Sequence, residues 1–456
     1  MTHSPSTSNT NAIVINNNSN TSSNTLLANL AATNVSTNVK DSTIAMELTD
    51  VNQEDPNTLM IDEGAELPPP LETQSAKTID TVNTLVNAPP LPTRARILLP
   101  SIIIPFSIMG LLIRLGLVSI ETFAGQQVFA LAWPQFIGCL LMGLFVSTRG
   151  WIDGGLVLPS SASKGHWIGA FVYIGLSSGL CGSITTFSSW NLALFNELIN
   201  TANVSRHPLQ NILSALTELV ATLALSISGL QLGYHLGEAL LQLATNWGLG
   251  SRRRSHALSS PITASQPSSI LDIAPALTPP SPPVPPNRWT ILDIVIVSAA
   301  IVLWTGVICA AILVPRESRL SWRHIVLACC FAPAGAILRW YLSRFNSRSK
   351  LFPLGTFAAN LGGSIILAAI VCLQHTSAAG GKSTLICHVL SGLQDGFCGC
   401  LTTISTFALE IKSLPRRASY VYGVVSVVVT QVFMLLIVGS YMWTRNSDDY
   451  VMACTS

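Results

Sequence analysis

Long apolar runs separated by short polar stretches dominate the sequence from Ile97 onward. A helix needs about 20 apolar residues to cross the hydrocarbon core of a bilayer. That requirement predicts spans at 97–119, 127–148, 166–199, 208–236, 290–314, 322–344, 351–373, 383–412 and 418–443. Two of them are interrupted at mid-length, one by Gly179-Leu180-Cys181-Gly182-Ser183-Ile184-Thr185-Thr186-Phe187-Ser188-Ser189-Trp190 and the other by Gly396-Phe397-Cys398-Gly399-Cys400-Leu401-Thr402-Thr403-Ile404-Ser405-Thr406-Phe407. Glycine and threonine are weak helix formers. Irregular backbone survives at membrane depth only where it is buried in protein or lines a wet path. A matched pair of breaks therefore points to an ion or substrate site.

The breaks belong to a larger internal repeat. Gly110-Leu111-Leu112-Ile113-Arg114 matches Gly335-Ala336-Ile337-Leu338-Arg339 at an offset of 339 − 114 = 225. Gln135 matches Asn360 at the same offset, and the breaks follow at 402 − 185 = 217. Each half holds four spans, an even number that returns the chain to its starting side. The single span 290–314 between them makes the second half enter from the opposite face. The predicted fold is an all-α membrane protein: two inverted four-helix repeats joined by one linking transmembrane helix, with a broken third helix in each repeat.

Composition agrees with this reading: 49% of the 456 residues are hydrophobic and only 10% are charged, against roughly a quarter charged in soluble domains. A net charge of +2 without a long basic cluster gives no reason to expect nucleic acid. Residues 1–93 are rich in Asn, Ser, Thr and Pro and are predicted to form a disordered tail. The first repeat occupies 94–244, a hydrophilic Pro-rich linker 245–289, the linking helix 290–314, the second repeat 322–443 and a C-terminal tail 444–456. Lys and Arg in the short loops favour a cytoplasmic N-terminus and an extracellular C-terminus, with Arg316, Arg319 and Arg323 dissenting.

No enzyme constellation is legible. Gly380-Gly381-Lys382-Ser383-Thr384 lacks the earlier glycine of a phosphate loop, and nine of the ten cysteines, set in apolar segments, read as packing residues. Glu218 is the deepest acid, and an intramembrane carboxylate is a functional candidate, but no acid stands opposite it in the second half. The neutral donors near the breaks are more telling. Thr185, Thr186, Thr402, Thr403 and Asn360 cluster there, and Ser426 and Thr430 share one helix face. With Phe187 and Phe407 they suggest a track for an anion, because a phenyl edge carries partial positive charge. A buried Lys or Arg would hold the ion too tightly to conduct it. The only such cations are the twins Arg114 and Arg339 in the first span of each half, which read as structural.

These motifs resemble one family, the fluoride channels called CrcB or Fluc in bacteria and the fluoride export proteins of eukaryotes. The family's broken helix reads close to G-F-x-G-G-x-T-T-F-S-T-F. Its G-T-x-x-x-N-x-x-G pattern is similar to Gly355-Thr356-Phe357-Ala358-Ala359-Asn360-Leu361-Gly362-Gly363. The match covers 97–443, and the tail with fused halves looks like the fungal form. The resemblance implies a passive, selective channel that exports F⁻ across the plasma membrane against fluoride toxicity. It also implies one chain acting as a pseudo-dimer in the lipid bilayer, functional as a monomer. A structural Na⁺ would be held by the backbone carbonyls of Gly182, Ile184, Gly399 and Leu401.

Departures from the family pattern make the halves unequal. The first half keeps Phe187 but has Trp190 in the second aromatic place, whereas the second half has Ile404 first and keeps Phe407. Cross-pairing predicts one conducting pore with Phe187, Phe407, Asn360, Ser426 and Thr430, and one degenerate pore with Gln135, Trp190 and Ile404. The first-half counterpart of the Ser426–Thr430 face is open, with Thr217 a candidate. The rival class is a proton-coupled small-cation efflux transporter of inverted-repeat type using Glu218. A membrane scaffold acting through the long tail is a third.

Overall fold

The computed structural model describes residues 93–124, 126, 128–155, 166–247, 289–313, 321–375 and 384–444. The predicted tails and most of the 245–289 linker lie outside the described residues. Every described element is helical: α1 (Thr93–Glu121), α2 (Ala132–Ser147), α3 (Arg149–Gly155), α4 (His166–Ile174), α5 (Phe187–Ile199), α6 (Pro208–Asn246), α7 (Ile291–Leu313), α8 (Ser321–Ser343), α9 (Leu354–Gln374), α10 (Thr384–Gly392), α11 (Ser405–Ser413) and α12 (Arg416–Met434). Wide π-helical turns at Gly175–Cys181 and Leu393–Cys398, each followed by three helical residues, join α4 to α5 and α10 to α11.

Of the nine predicted spans, seven form helices long and apolar enough to cross a membrane. The span placed at 127–148 is shorter, because α2 begins only at Ala132 and runs 16 residues. The second broken segment is divided into α10 and α11, of nine residues each. In contrast, α6 runs to Asn246, ten residues past the predicted end at 236. Its start is set by Pro208 and by His207, whose backbone N–H donates to Gln210 Oε1 at 2.7 Å while its Nδ1 accepts from the Leu209 N–H at 3.2 Å.

The series long helix, second helix, broken helix, final helix occurs once in α1–α6 and again in α8–α12. Within the first series, α2 and α6 approach so closely that a Cβ on Gly143 would come 2.1 Å from the Leu230 carbonyl oxygen, and one on Gly233 2.0 Å from that of Leu140. Small residues permit this backbone approach where lipid supplies no hydrophobic drive. Between the two series, α7 buries only Asp293 and Ala300 of its 23 residues. Asp293 pairs with Arg94 on α1 at 2.6 Å, both side chains fully or nearly fully buried, and Trp304 Nε1 donates to the Cys330 carbonyl at 3.0 Å.

Eight described cysteines are free thiols, five of them buried, which matches a packing role. Cys387 is disulfide-bonded and departs from that expectation.

Candidate functional site

Each break combines a π-helical turn with extended threonine backbone. Thr185 and Thr186 have φ/ψ of −90°/149° and −141°/128°, and Thr402 has −95°/155°. A wide turn displaces carbonyls from the regular ladder, and such bulges concentrate at functional sites. Here the arginines predicted as twins take up those carbonyls, crossing between halves. Arg114 Nη2 donates to the Asp395 carbonyl of the second break. Arg339 Nη2 donates to Ser178 of the first break, and its Nη1 donates to Gly182 at 2.6 Å, to Cys400, and to Thr402 at 3.2 Å. Each guanidinium packs directly on a glycine. A Cβ on Gly182 would lie 2.2 Å from Arg339 Nη2, and one on Gly399 2.5 Å from Arg114 Nη1.

The two breaks also cap one another. Helix α5 begins with no cap from its own Thr186 side chain. Instead Thr402 Oγ1, from the other half, accepts from the backbone N–H of Phe187 at 3.2 Å and of Ser188 at 3.1 Å. Reciprocally, Thr185 Oγ1 accepts from the N–H of Ile404 at 3.2 Å and of Ser405 at 3.1 Å at the start of α11. The hydroxyls meet pairwise, Thr185 with Thr403 at 3.0 Å and Thr186 with Thr402 at 3.2 Å. A hydroxyl accepting from orphan N–H groups is N-capping, supplied here by a chain segment more than 200 residues away.

Just beyond the caps lies one buried cluster that contains Phe187, Trp190, Ile404, Phe407 and Tyr422. Phe187 and Phe407 meet edge to face with centroids 5.3 Å apart. Phe187 also meets Trp190 at 5.5 Å, and Phe407 meets Tyr422 at 5.2 Å. Asn360 straddles Thr403, accepting its N–H at 2.9 Å and donating to its carbonyl at 3.2 Å. Its twin Gln135 donates to the Thr186 carbonyl at 2.7 Å, while its Oε1 has no hydrogen-bond partner. Ser426 and Thr430 are both buried; Thr430 donates back to the Ser426 carbonyl at 2.8 Å, and the Ser426 hydroxyl has no partner.

Several contacts here escaped the sequence reading. Buried Glu410 accepts from Thr356 Oγ1 at 2.6 Å, Asn346 Nδ2 at 3.0 Å and the Tyr422 hydroxyl at 2.6 Å. Asn191 Nδ2 donates to the Phe187 carbonyl at 3.0 Å, and its own carbonyl accepts from Gln431 Nε2 at 2.8 Å. The available signal was spacing: Tyr422, Ser426 and Thr430 recur every four residues on the buried face of α12. The same spacing corrects Thr217, which is exposed and donates back to Leu213. The buried polar face of α6 is Glu218, Thr222 and Ser226. In the first half a carboxylate therefore stands at the place in the triplet that Tyr422 fills in the second.

The four carbonyls assigned to sodium by resemblance do not form a free set. Gly182's accepts from Arg339, and the Arg114 guanidinium packs on Gly399. Two fixed cations thus already face the breaks, and one of the four carbonyls is engaged.

Paired, crossed breaks in a bundle of membrane-length helices define a polytopic membrane protein of the broken-helix type. The chain belongs to the family described as "CrcB-like protein, Camphor Resistance (CrcB)", which matches residues 101–233 and 326–440. It is 33% identical to "Fluoride export protein 1" of Candida albicans over 352 residues, 75% of this chain and 79% of that protein. It is 32% identical to "Fluoride export protein 1" of Neurospora crassa over 388 residues, 76% of this chain and 67% of that one. The "Fluoride-specific ion channel FluC" of Chromobacterium violaceum matches at 35% identity over 131 residues, 27% of this chain but 99% of its own length. No solved structure matches.

Proposed function

We propose that the protein is a passive, selective fluoride channel that carries F⁻ out of the cytoplasm. The carrying observation is the buried edge-to-face pair of Phe187 and Phe407 close to the break that Asn360 straddles. Ring edges and neutral N–H and O–H donors can replace a small anion's hydration without the deep trap a lysine or arginine would make. The relatives' names supply the ion. Hydrogen fluoride crosses membranes as a neutral weak acid and ionises in a near-neutral cytoplasm. A negative-inside potential then drives the anion outward through a channel without coupling.

In this reading the two helix series are inverted four-span units joined by α7, and one chain does the work of a dimer. The bacterial relative's length, matched by about a quarter of this chain, supports that arrangement. One pore conducts, formed with Phe187, Phe407, Asn360, Ser426 and Thr430. The other, with Gln135, Trp190 and Ile404, is degenerate. The protein resides in the plasma membrane with its N-terminus cytoplasmic and its C-terminus outside. A proton-coupled transporter acting through Glu218 is disfavoured, because the matching place in the second half is Tyr422.

The test is fluoride-electrode efflux from liposomes holding the purified protein. Valinomycin-dependent, pH-independent release supports the channel. No release of F⁻ rejects it.

A further inference from the structure

Carbonyls from both breaks converge on one side chain. Arg339 donates to Ser178 and Gly182 of the first break and to Cys400 and Thr402 of the second. The residue is 4% exposed, and no carboxylate lies within ion-pair distance of it among the described residues. A guanidinium remains protonated in proteins and presents five donors in a fixed fork. Buried without a counter-ion, its charge is balanced by carbonyl dipoles alone. Gly182 provides the cradle, since any Cβ there would overlap the guanidinium.

We propose that the Arg339 guanidinium is the resident cation of the crossed breaks, so that the protein clamps its two halves with a covalently attached charge and needs no sodium ion at that centre. The same carbonyls would otherwise face one another with their negative ends converging, which is what a bound cation would relieve. Arg114 is not equivalent. It bonds the Asp395 carbonyl and packs on Gly399, with Nη1 left without a partner. Its charge adds to the potential opposing any further cation. The inference is independent of which ion the channel carries.

The experiment uses the full chain, purified in detergent, with thermal unfolding followed in sodium chloride and in N-methyl-D-glucamine chloride. The wild type should show no shift in Tm when sodium is withdrawn. Arg339→Ala should unfold at lower temperature in the sodium-free buffer and regain stability when Na⁺ or methylguanidinium is added. Arg339→Lys keeps a charge without the fork and should fall between the two. A wild-type Tm that drops on sodium withdrawal overturns the proposal. So does an Arg339→Ala protein as stable as wild type in the sodium-free buffer. Should Arg339→Ala fail to fold, the wild-type comparison alone decides. Because the readout is stability, its failure is distinct from a failure to release fluoride.

Discussion

The ring of Phe187 meets the ring of Phe407 edge to face, with centroids 5.3 Å apart and planes at 68°. The two residues come from different halves, and each lies in the first turn of a helix that starts at a break. Helix N-termini carry partial positive charge, so ring edges and peptide dipoles act in the same sense on an anion. Phe187→Ile removes the ring together with its contact to Trp190 and should abolish fluoride efflux. Ile404→Ala should leave initial efflux rates from liposomes near wild type. Equal losses in the two variants would refute the inequality of the pores.

Asn360 and Gln135 make a second test of that inequality. Asn360→Asp keeps an acceptor for the Thr403 N–H but loses the donor to its carbonyl and adds a charge that repels F⁻. Efflux should stop while the protein still elutes as a single folded species. Gln135→Glu makes the corresponding change on the other side, where Gln135 holds Thr186. Efflux should persist there.

The crossed caps predict a stability effect with a definite pattern. Thr402→Val removes the acceptor for two N–H groups at the start of α5 and should cost about 0.5–2 kcal/mol. Thr402→Ser should recover most of it. Thr185→Val should cost a similar amount through α11. Thermal unfolding of the three variants checks the pattern, and a Thr402→Val protein as stable as wild type would remove the cap.

The order of spans, the two breaks, their Thr-Thr pairs and the arginine twins were all legible as local patterns. What crosses between halves was not. Nothing in the spacing of Thr402 states that it caps Phe187 rather than its own helix, because trans-capping depends on which segments fold together. The polar face of α6 failed for a different reason. In a soluble helix hydrophobic periodicity marks the buried side, but α6 is apolar on both its lipid and its protein faces. Thr217 and Thr222 look alike in such a sequence. The distinguishing signal was the column Glu218, Thr222, Ser226, Gly229, Gly233 and Gly237, which are buried together. Short α2 was over-extended because apolar residues continue into the connection before it.

Glu410 should matter through its three donors. Tyr422→Phe preserves the ring contact to Phe407 but removes the hydroxyl that donates to Glu410 Oε2 at 2.6 Å. A buried hydrogen bond contributes roughly 0.5–1.5 kcal/mol, so Tm should fall. Glu410→Leu leaves Thr356, Asn346 and Tyr422 without their acceptor and should be worse than Glu410→Gln, which retains an acceptor oxygen. If the leucine and glutamine variants unfold together, the network contributes little.

The buried pair of Arg94 and Asp293 ties α7 to the first series. Asp293 also accepts from the Thr290 N–H at 2.7 Å, which fixes the carboxylate at the start of α7. Breaking a buried ion pair by removing one partner typically costs about 3–5 kcal/mol, because the remaining charge is stranded, whereas replacing both partners by apolar groups is often neutral. Asp293→Ala should therefore lower Tm sharply, and the double variant Arg94→Met/Asp293→Leu should recover much of the loss. The remaining burial of α7 is slight, so the single variant should also expose this helix to proteolysis before the others. A cleavage pattern in which α7 is no more susceptible than α1 would mean that other contacts hold it in place.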